Sequence, residues 1–514
     1  MNVATDLLVV GGGITGAGIA LEAARRGVAV MLVEARDFAW GTSSRSSKLV
    51  HGGLRYLRQG QVGLTRESVR ERGRLLREAP GLVEPQRALF GHYAGRSPGR
   101  RTMALGLALY DAFGGERTRA HHDGAETLRL APHIGACGLL GASTFLDAKT
   151  DDARLVLRVL HEAERHGARV VNDAGVERLL RDGSEVVGAR IGGAGFSGEV
   201  RARVVINATG TWADGVRAEL GAAPMLRPLR GSHLLFPLWR LPVAQSVSLL
   251  HPRDRRPVFA TPWEGAALVG TTDLDHGEGP EREPAITAAE VTYLIEALAH
   301  AFPALRLTAA DAISSFAGVR PVVDAGTGAP SEAAREHVVR TEHGLITVTG
   351  GKLTTFRVIA LDALRHAAPR LEALRGIGAR GGDVQSRAPV FAAASPGPVL
   401  ARVAPPLRER LLGRYGAHAE AIVAEAGAGD LQRIDATPTL WAELHWALRH
   451  EQVRHLDDLL LRRTRLGLLM RHGAQSLLPQ LQRPACDALG WSSADWSAEC
   501  ERYSGIIARC HSLP

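Results

Sequence analysis

Three glycines and one glutamate near the start of the chain have the spacing of a phosphate-binding turn. Gly11, Gly13 and Gly16 follow residues 6–10, which have strand character, and Glu34 closes the next apolar run. Gly11 permits a tight turn, Gly13 lets the backbone approach a pyrophosphate, and Gly16 lets a helix pack closely on the strand. The helix N-terminus favours an anion. Glu34, 23 positions after Gly11, is placed to accept hydrogen bonds from a ribose. The sequence therefore predicts a dinucleotide site.

Lysine is rare in this chain, so the few lysines present are candidate site residues. Only Lys48, Lys149 and Lys352 occur, against 62 basic residues in all. A compact ammonium can occupy places that a guanidinium cannot. Lys48 and Lys352 follow serine-rich or glycine-rich turns, and we expect both to have a function. Chance explains the retention of Lys149.

Three other segments could meet a ligand. Residues 42–48 are rich in hydroxyl groups and could supply donors at short range, although a solvated linker has a similar composition. Residues 204–210 form a strand that stops at a glycine, where the backbone can approach a ligand closely. Residues 345–352 form a strand, two glycines and Lys352, followed by a helix whose N-terminus can face an anionic group.

The elements that must position these residues follow from the hydrophobic periodicity. A strand, the glycine turn and a helix open the chain, and later patterns alternate between helices and short strands. Helical periodicity dominates beyond about residue 385, and residues 392–398 are a predicted linker. The pattern predicts helices at 65–79, 101–113, 151–167 and 287–301, a β-meander at 176–206 and strands within 226–280.

Composition limits the class of protein. A chain of 514 residues with 45% hydrophobic residues is long enough for two or three domains. We expect no membrane span, no signal peptide, no metal pattern among the four cysteines, and reduced thiols in a cytosolic protein. The net charge of +8 is scattered, so it fits an anionic substrate or an anionic membrane surface as well as nucleic acid.

An ordered series of motifs resembles one known family. Residues 51–57 (His-Gly-Gly-Leu-Arg-Tyr-Leu) and 350–355 (Gly-Gly-Lys-Leu-Thr-Thr) are the specific ones. Together with the glycine turn, the series resembles the FAD-dependent, respiratory-type sn-glycerol-3-phosphate dehydrogenases of bacteria. The resemblance runs from residue 6 to about 360 and continues faintly through 462–467. The other motifs lie at 42–49, 151–156, 207–210, 231–233, 270–273 and 318–321.

The resemblance implies an α/β fold. It consists of a Rossmann-like FAD-binding domain, an inserted substrate domain on a mixed or antiparallel β-sheet, and a C-terminal all-α domain. The implied boundaries are 1–85, 147–225 and 315–385 for the FAD-binding domain, 86–146 and 226–314 for the substrate domain, and 399–514 for the helical domain.

The resemblance also implies an activity. It implies non-covalent FAD and oxidation of glycerol 3-phosphate to dihydroxyacetone phosphate, with electrons passed to a quinone. The protein would lie peripherally on the cytoplasmic face of the inner membrane, with no nucleic-acid partner, and a homodimer is among the expectations. Two departures weaken the match near the substrate: Ala148-Lys149-Thr150 precedes Asp151, and the loop 92–101 is short and rich in glycine.

Site residues follow from the same match. His233, Arg320 and Lys352 are the expected catalytic residues, with His233 as the base that takes the hydroxyl proton. Arg55, Tyr56, Arg320 and Thr272 are the expected substrate ligands, because a phosphate needs fixed cations and donors. The expected FAD ligands are Gly11, Gly13, Ile14, Thr15, Gly16, Glu34, Thr42, Ser43, Ser44, Ser47, Lys48, Leu49, His51, Gly52, Gly53, Val176, Ala208, Thr209, Gly210, Gly351, Lys352, Leu353 and Thr354.

Two alternatives stay open at this point. One is another FAD oxidoreductase of the same architecture, either a glycerol-3-phosphate oxidase that uses oxygen or an amine oxidase. The other is a non-catalytic flavin-binding protein that senses redox state.

Overall fold

The computed structural model describes residues 2–58, 60–279, 282–324, 336–374, 377 and 388–514, and the side chains of Arg55 and Arg58 lie outside the described part. The strands are β1 (Asn2–Val10), β2 (Val30–Val33), β3 (Leu49–Val50), β4 (Val83–Tyr93), β5 (Ala120–Asp123), β6 (Leu139–Thr150), β7 (Arg169–Val171), β8 (Gly175–Asp182), β9 (Glu185–Gly192), β10 (Gly198–Asn207), β11 (Leu226–Pro237), β12 (Ser246–Leu250), β13 (Pro257–Trp263), β14 (Ala266–Gly270), β15 (Leu274–Asp275), β16 (Ser314–Val323), β17 (His337–Glu342) and β18 (Leu345–Gly350). The helices are α1 (Ile14–Ala24), α2 (Leu54–Arg58), α3 (Val62–Glu78), α4 (Arg100–Gly114), α5 (Gly124–Leu130), α6 (Asp152–Arg165), α7 (Ala213–Ala218), α8 (Ala288–Ala301), α9 (Phe356–Ala367), α10 (Pro405–Tyr415), α11 (Ala419–Ala424), α12 (Trp441–His450), α13 (Leu466–Leu469), α14 (Leu478–Leu489) and α15 (Ser493–Ile506).

The first sheet is a Rossmann-like sheet with a parallel centre. Its order is β17-β18-β10-β1-β2-β7, and β1 pairs in parallel with both β10 and β2. Helix α1 crosses from β1 to β2 and packs against α6 and α9, where apolar side chains such as Leu7, Ile19 and Ile359 form one core. Strands β8, β9 and β10 form the predicted meander. The predicted α/β fold is confirmed here.

The second sheet is mixed and supplies the opposite wall of the molecule's main cavity. Its order is β15-β11-β14-β13-β12-β4-β6-β3, with β16 on β11 and β5 on β6. Most pairs are antiparallel, and β12 with β4 is parallel. The long pair β4–β6 was not predicted, because its partners are about fifty residues apart and no local pattern links them. The proposed division of the chain into domains stays a prediction.

The region 399–514 is helical, as predicted, and it packs on the second sheet. Leu459 and Leu468 share a core with Leu235, Trp263 and Phe316 of the sheet strands. A turn of π-helix at Asp458–Arg463 leads into α13. The helical region therefore shares a hydrophobic core with the second sheet and is not joined to it by a linker alone. Across the described residues, no helix is both long and apolar enough to cross a bilayer.

Candidate active site

A large cavity of about 1470 Å³ lies between the two sheets. The carboxyl ends of β1, β10 and β18 open onto it from one side, and strands of the second sheet close it from the other. Of the predicted site residues, the wall brings together Gly11, Gly13, Ile14, Thr15, Glu34, Thr42, Ser43, Ser47, Leu49, His51, Gly53, Tyr56, Val176, Ala208, Thr209, Gly210, Arg320, Gly351, Lys352, Leu353 and Thr354.

The glycine turn has the close approaches that its spacing predicts. Gly11 has φ +112°, and a Cβ there would lie 2.6 Å from the carbonyl oxygen of Ala208. A Cβ on Gly16 would lie 1.9 Å from the carbonyl oxygen of Gly11, so only glycine allows this packing of helix on strand. Gly16 thus shapes the turn from behind the wall. Helix α1 has no side-chain cap at Gly13, and its first turn lies at the cavity.

Glu34 closes the turn from the end of β2. Its carboxylate accepts hydrogen bonds from the backbone N–H of Gly12 at 2.7 Å and of Arg36 at 2.9 Å. Burial raises the pKa of Glu34 above its usual value. A carboxylate has lone pairs beyond those two contacts, and Glu34 lines the cavity. The turn and this carboxylate therefore fit the pyrophosphate and ribose of a dinucleotide.

The loop at residues 42–48 joins the turn to the second sheet. The Ser43 hydroxyl accepts from the N–H of Ile14 at 3.0 Å, and the Thr42 hydroxyl donates to the carbonyl of Val319 at 2.5 Å. The Ser47 hydroxyl lies 2.9 Å from Nε2 of His233. Each contact is made by a hydroxyl that the sequence singled out, so the loop links the elements around the cavity.

The Lys48 side chain, which we expected to contact FAD, is directed elsewhere. Its ammonium is buried, donates to the carbonyl of Ser44 at 2.5 Å and lies 2.9 Å from the Asp152 carboxylate. The ammonium therefore points away from the cavity, and a ligand contact could involve only its backbone. Ser44 and Gly52 also lie behind the wall. The N–H of Gly52 donates to the Tyr110 hydroxyl at 2.8 Å.

A buried network below Gly52 shapes the His51–Tyr56 segment. Asp147 accepts from the Tyr110 hydroxyl at 2.5 Å and from Arg72 at 2.8 Å. Tyr56 lines the cavity, and the Lys352 ammonium lies 3.8 Å from the centre of its ring. The ammonium also donates to the Ser68 hydroxyl at 2.9 Å. Arg55 lies in α2, and its side chain is outside the described part of the chain.

Arg320 shares a buried carboxylate with an arginine that the sequence did not single out. Its guanidinium lies 3.0 Å from Asp273 Oδ1 and donates to the Thr271 hydroxyl at 3.0 Å. Arg256 lies 3.1 Å from Asp273 Oδ2, and both arginines line the cavity. Arg256 was missed because it stands in an arginine-rich turn with no motif. The only feature of the sequence that could have pointed to Arg256 is its position next to the strand β13.

His233 lies just behind the wall. It is 1% exposed and its ring stacks on Phe316 at a centroid distance of 4.7 Å. Burial, with the charges of Arg320 and Lys48, lowers the pKa of His233 well below 6.5. The ring is therefore neutral at neutral pH and can accept a proton. Ser47, its neighbour, lies on the wall.

Thr272 is not on the wall, and its hydroxyl is committed elsewhere. It donates to Glu290 at 2.7 Å and accepts from the N–H of Ser232 at 2.9 Å. The adjacent Thr271 lines the cavity instead. A direct substrate contact by Thr272, as predicted from the motif, is not supported by this placement, because its hydroxyl is directed at Glu290 and Ser232 and not at the cavity.

The chain matches two protein-family models. Residues 6–357 match FAD dependent oxidoreductase, and residues 374–496 match the C-terminal domain of alpha-glycerophosphate oxidase. The aerobic glycerol-3-phosphate dehydrogenase of Staphylococcus saprophyticus is 35% identical, over 89% of this chain and 86% of that protein. Glycerol-3-phosphate dehydrogenase 2 of Mycobacterium tuberculosis is 36% identical, over 98% of this chain and 88% of that protein.

A solved structure agrees with these matches. The X-ray structure of the glycerol-3-phosphate dehydrogenase of Bacillus halodurans, complexed with FAD, superposes with a TM-score of 0.73 at 28% identity. The match covers 98% of this chain and 94% of that one. It therefore extends over both sheets and the C-terminal helices.

Proposed function

The chain belongs to the family of FAD-dependent glycerol-3-phosphate dehydrogenases and oxidases, and we propose that it oxidises sn-glycerol 3-phosphate at carbon 2 to dihydroxyacetone phosphate. The family and the FAD cofactor predicted from the sequence are confirmed. We propose further that the electrons pass to a membrane quinone. When bound, FAD would supply the two-electron acceptor for the hydride that leaves carbon 2.

The charge on the cavity wall carries the substrate proposal. Among the described residues, the wall carries five basic side chains and three acidic ones, which leaves an excess of two positive charges: Arg36, Arg45, Arg256, Arg320 and Lys352 against Glu34, Asp147 and Asp273. Arg256 and Arg320 share Asp273. This net excess of two positive charges matches the two negative charges of a phosphate dianion. Amine substrates of related oxidases need no such excess, which favours a phosphorylated alcohol. Arg320 and Arg256 would bind the phosphate by charge-assisted hydrogen bonds.

The hydroxyl proton of the substrate needs an acceptor. His233 is neutral, and its Nε2 lies 2.9 Å from the Ser47 hydroxyl. Ser47 is on the wall, so its hydroxyl can connect the substrate to His233, which would take the proton during oxidation and, because its pKa is lowered, release it again. Lys352, over the ring of Tyr56, would stabilise negative charge that develops on oxygen.

The FAD-binding residues are proposed from their place on the wall. The turn at Gly11, Gly13, Ile14 and Thr15 would hold the pyrophosphate, and Glu34 would accept from the ribose. The second strand–glycine–helix junction, at Gly351 and Leu353, would meet the flavin end. These assignments use N–H groups and hydroxyls that already line one continuous cavity.

Anaerobic reduction of the purified holoenzyme tests the substrate. Glycerol 3-phosphate should bleach the visible flavin band, whereas glycerol, which lacks the phosphate, should bleach it far more slowly. Equal rates of bleaching by glycerol 3-phosphate and glycerol would contradict the proposed phosphate-binding site. Bleaching by amino acids instead would support an amine oxidase, and no bleaching by any of them would support a non-catalytic flavin sensor.

Reoxidation of the reduced enzyme tests the acceptor. A quinone analogue should reoxidise it much faster than oxygen does, with little peroxide formed. Fast reoxidation by oxygen with stoichiometric peroxide would instead support an oxidase, the activity named for relatives of residues 374–496.

Membrane association is part of the same proposal. We propose peripheral binding at the cytoplasmic face of the inner membrane, supported by the net charge of +8. The protein should sediment with vesicles that contain anionic lipid and stay in solution with neutral vesicles. Equal behaviour with both vesicle types would contradict an electrostatic attachment.

A further inference from the structure

Arg465 reaches from the C-terminal helical region into the back of the loop at residues 42–48. Arg465 belongs to residues 462–467, a segment that shares the family resemblance and to which no function has been assigned above. It is 1% exposed. Its guanidinium donates to Asp151 at 2.9 Å, to Asp152, and to the carbonyl of Ser44 at 3.3 Å. One side chain of the helical region thus contacts both the start of α6 and the loop.

Asp152 connects that arginine to the rest of the loop. Its carboxylate accepts from the N–H and the hydroxyl of Ser46, at 3.0 and 2.7 Å. It also lies 2.9 Å from the Lys48 ammonium, which itself donates to the Ser44 carbonyl. Asp152 is fully buried, so these charged contacts are shielded from water. Residues 44–48 are therefore held from behind by a single ionic cluster.

The front of the same loop forms the cavity wall. Ser43, Ser46 and Ser47 line the cavity, and the Ser43 hydroxyl accepts from the N–H of Ile14 in the first turn of α1. A shift of the loop backbone would move these hydroxyls relative to the glycine turn. The ionic cluster behind the loop thus bears on the shape of the dinucleotide site in front of it.

We propose that Arg465 is a positioning residue of the FAD site, and that the C-terminal helical region uses it to hold the loop at residues 42–48 in the form that retains the cofactor. The inference rests on FAD binding by the family and not on the proposed substrate. It gives the helical region a part in cofactor retention in addition to its packing on the second sheet.

The test compares two buried arginines that cross the same boundary. Arg154 pairs with Glu451 of the helical region at 2.6 and 2.9 Å, and its guanidinium also donates to the carbonyl of Arg463. Its guanidinium contacts thus lie away from the loop. We would prepare Arg465→Met and Arg154→Met holoenzymes and measure the rate of FAD release by flavin fluorescence, each at the same interval below its own unfolding temperature.

Arg465→Met should release FAD at least about tenfold faster than the unaltered enzyme, because charge-assisted contacts to the loop are lost. Arg154→Met should stay within about twofold at matched stability, although it also loses a buried pair. Arg465→Lys should give an intermediate rate, since a lysine keeps the positive charge and loses the planar, spread-out donors of the guanidinium. Equal release rates for Arg465→Met and Arg154→Met would overturn the proposal.

Ser46→Ala decides the matter if Arg465→Met does not fold. It removes the hydroxyl that donates to Asp152 and accepts from the N–H of Lys48, and it leaves every charge in place. Release about threefold to tenfold faster supports the proposal, and an unchanged rate overturns it. Because no substrate is present, failure here is distinct from failure of the proposed reaction.

Discussion

Asp273 is the residue on which the charge of the substrate end depends. It is buried, and it meets Arg320 through one oxygen and Arg256 through the other. A carboxylate held between two guanidinium groups fixes both in place, so the cavity gains positive charge without mobile side chains. A charged phosphate can then be bound at little cost in side-chain entropy.

Replacing Arg320 tests this placement. Arg320→Ala should lower kcat/KM for glycerol 3-phosphate at least about a thousandfold, because a charged contact to phosphate or developing oxygen charge is lost. FAD should remain bound, and its content would be measured by absorbance. Arg227→Ala is the control, since Arg227 pairs with Asp275 on the exposed side of β11. Near-normal turnover of Arg320→Ala would remove this residue from the site.

The pH dependence tests His233. Because burial and two nearby cations lower the pKa of His233 well below 6.5, the base stays neutral through that pH. The acidic loss of flavin reduction at saturating substrate should therefore occur well below pH 6.5. His233→Asn should reduce the rate about 10²- to 10⁴-fold and lose that pH dependence. An acidic limb centred at 6.5 or above would contradict the assignment.

Sequence patterns could point to individual residues only through motifs. Arg320 and His233 stand in recognisable strings, whereas Arg256 is one of many arginines and became visible only through its contact with Asp273. The rarity of lysine singled out Lys48 and Lys352 alike. Of these two, only Lys352 lies on the cavity wall, because the direction in which a side chain points depends on the fold and not on residue type.

At the scale of elements, the strand–turn–helix units were the most predictable part. The turn between β1 and α1 could be predicted because its glycines stand in a local strand–glycine–helix pattern. Helices α3, α4, α6 and α8 show clear helical periodicity. Strands β4, β6 and β16 were not predicted as parts of one sheet. Their pairing depends on partners far along the chain, which a local pattern does not specify.

The carboxylate at the end of β2 gives a test at this scale. Glu34→Ala should accelerate FAD loss, because the ribose acceptor and the contacts to the N–H groups of Gly12 and Arg36 disappear together. Glu34→Gln keeps one acceptor oxygen and should give a smaller effect. Flavin retained after gel filtration is the measurement. Unchanged cofactor content in Glu34→Ala would refute the ribose role.

Helix α6 carries a buried histidine whose titration should affect stability. Burial lowers the pKa of His161 to about 3. The unfolded chain binds a proton near pH 6.5, so stability is kept above 6.5 and lost as the pH falls towards 3. The loss should be about 1.4 kcal/mol for each pH unit below 6.5.

His161→Gln removes this titration and provides the comparison. The difference in unfolding temperature between the unaltered protein and His161→Gln should shift in favour of the variant as the pH falls from 7 to 5. Calorimetry at several pH values measures it. Two parallel curves would show that His161 is not the titrating group.

At the scale of the whole molecule, buried ion pairs fasten the C-terminal helices to the first sheet. Asp37 follows β2, and it accepts from Arg463 at 2.6 and 2.7 Å and from Arg462. Asp37 and Arg463 are separated by 426 positions, so no sequence pattern could reveal this pairing. The helical character of the region was predictable from periodicity, and its docking was not.

Breaking this attachment should cost much of the protein's stability. Asp37→Asn should lower the free energy of unfolding by about 3–5 kcal/mol, because Arg463 loses the charge that compensates its burial. Asp487→Asn is the control, since Asp487 and Arg483 are 72% and 92% exposed and should change stability by less than about 1 kcal/mol. Denaturant unfolding measures both. Equal effects would show that Asp37 contributes no more than a surface charge.

The contact between Arg465 and the serine-rich loop also bears on the order of events during synthesis. The glycines of the dinucleotide turn leave the ribosome early, whereas the arginine that steadies their neighbouring loop emerges after more than four-fifths of the chain. Flavin capture should accordingly be a late step of biogenesis. Nascent chains arrested before residue 465 should carry little flavin, and tight binding by such chains would argue against this order.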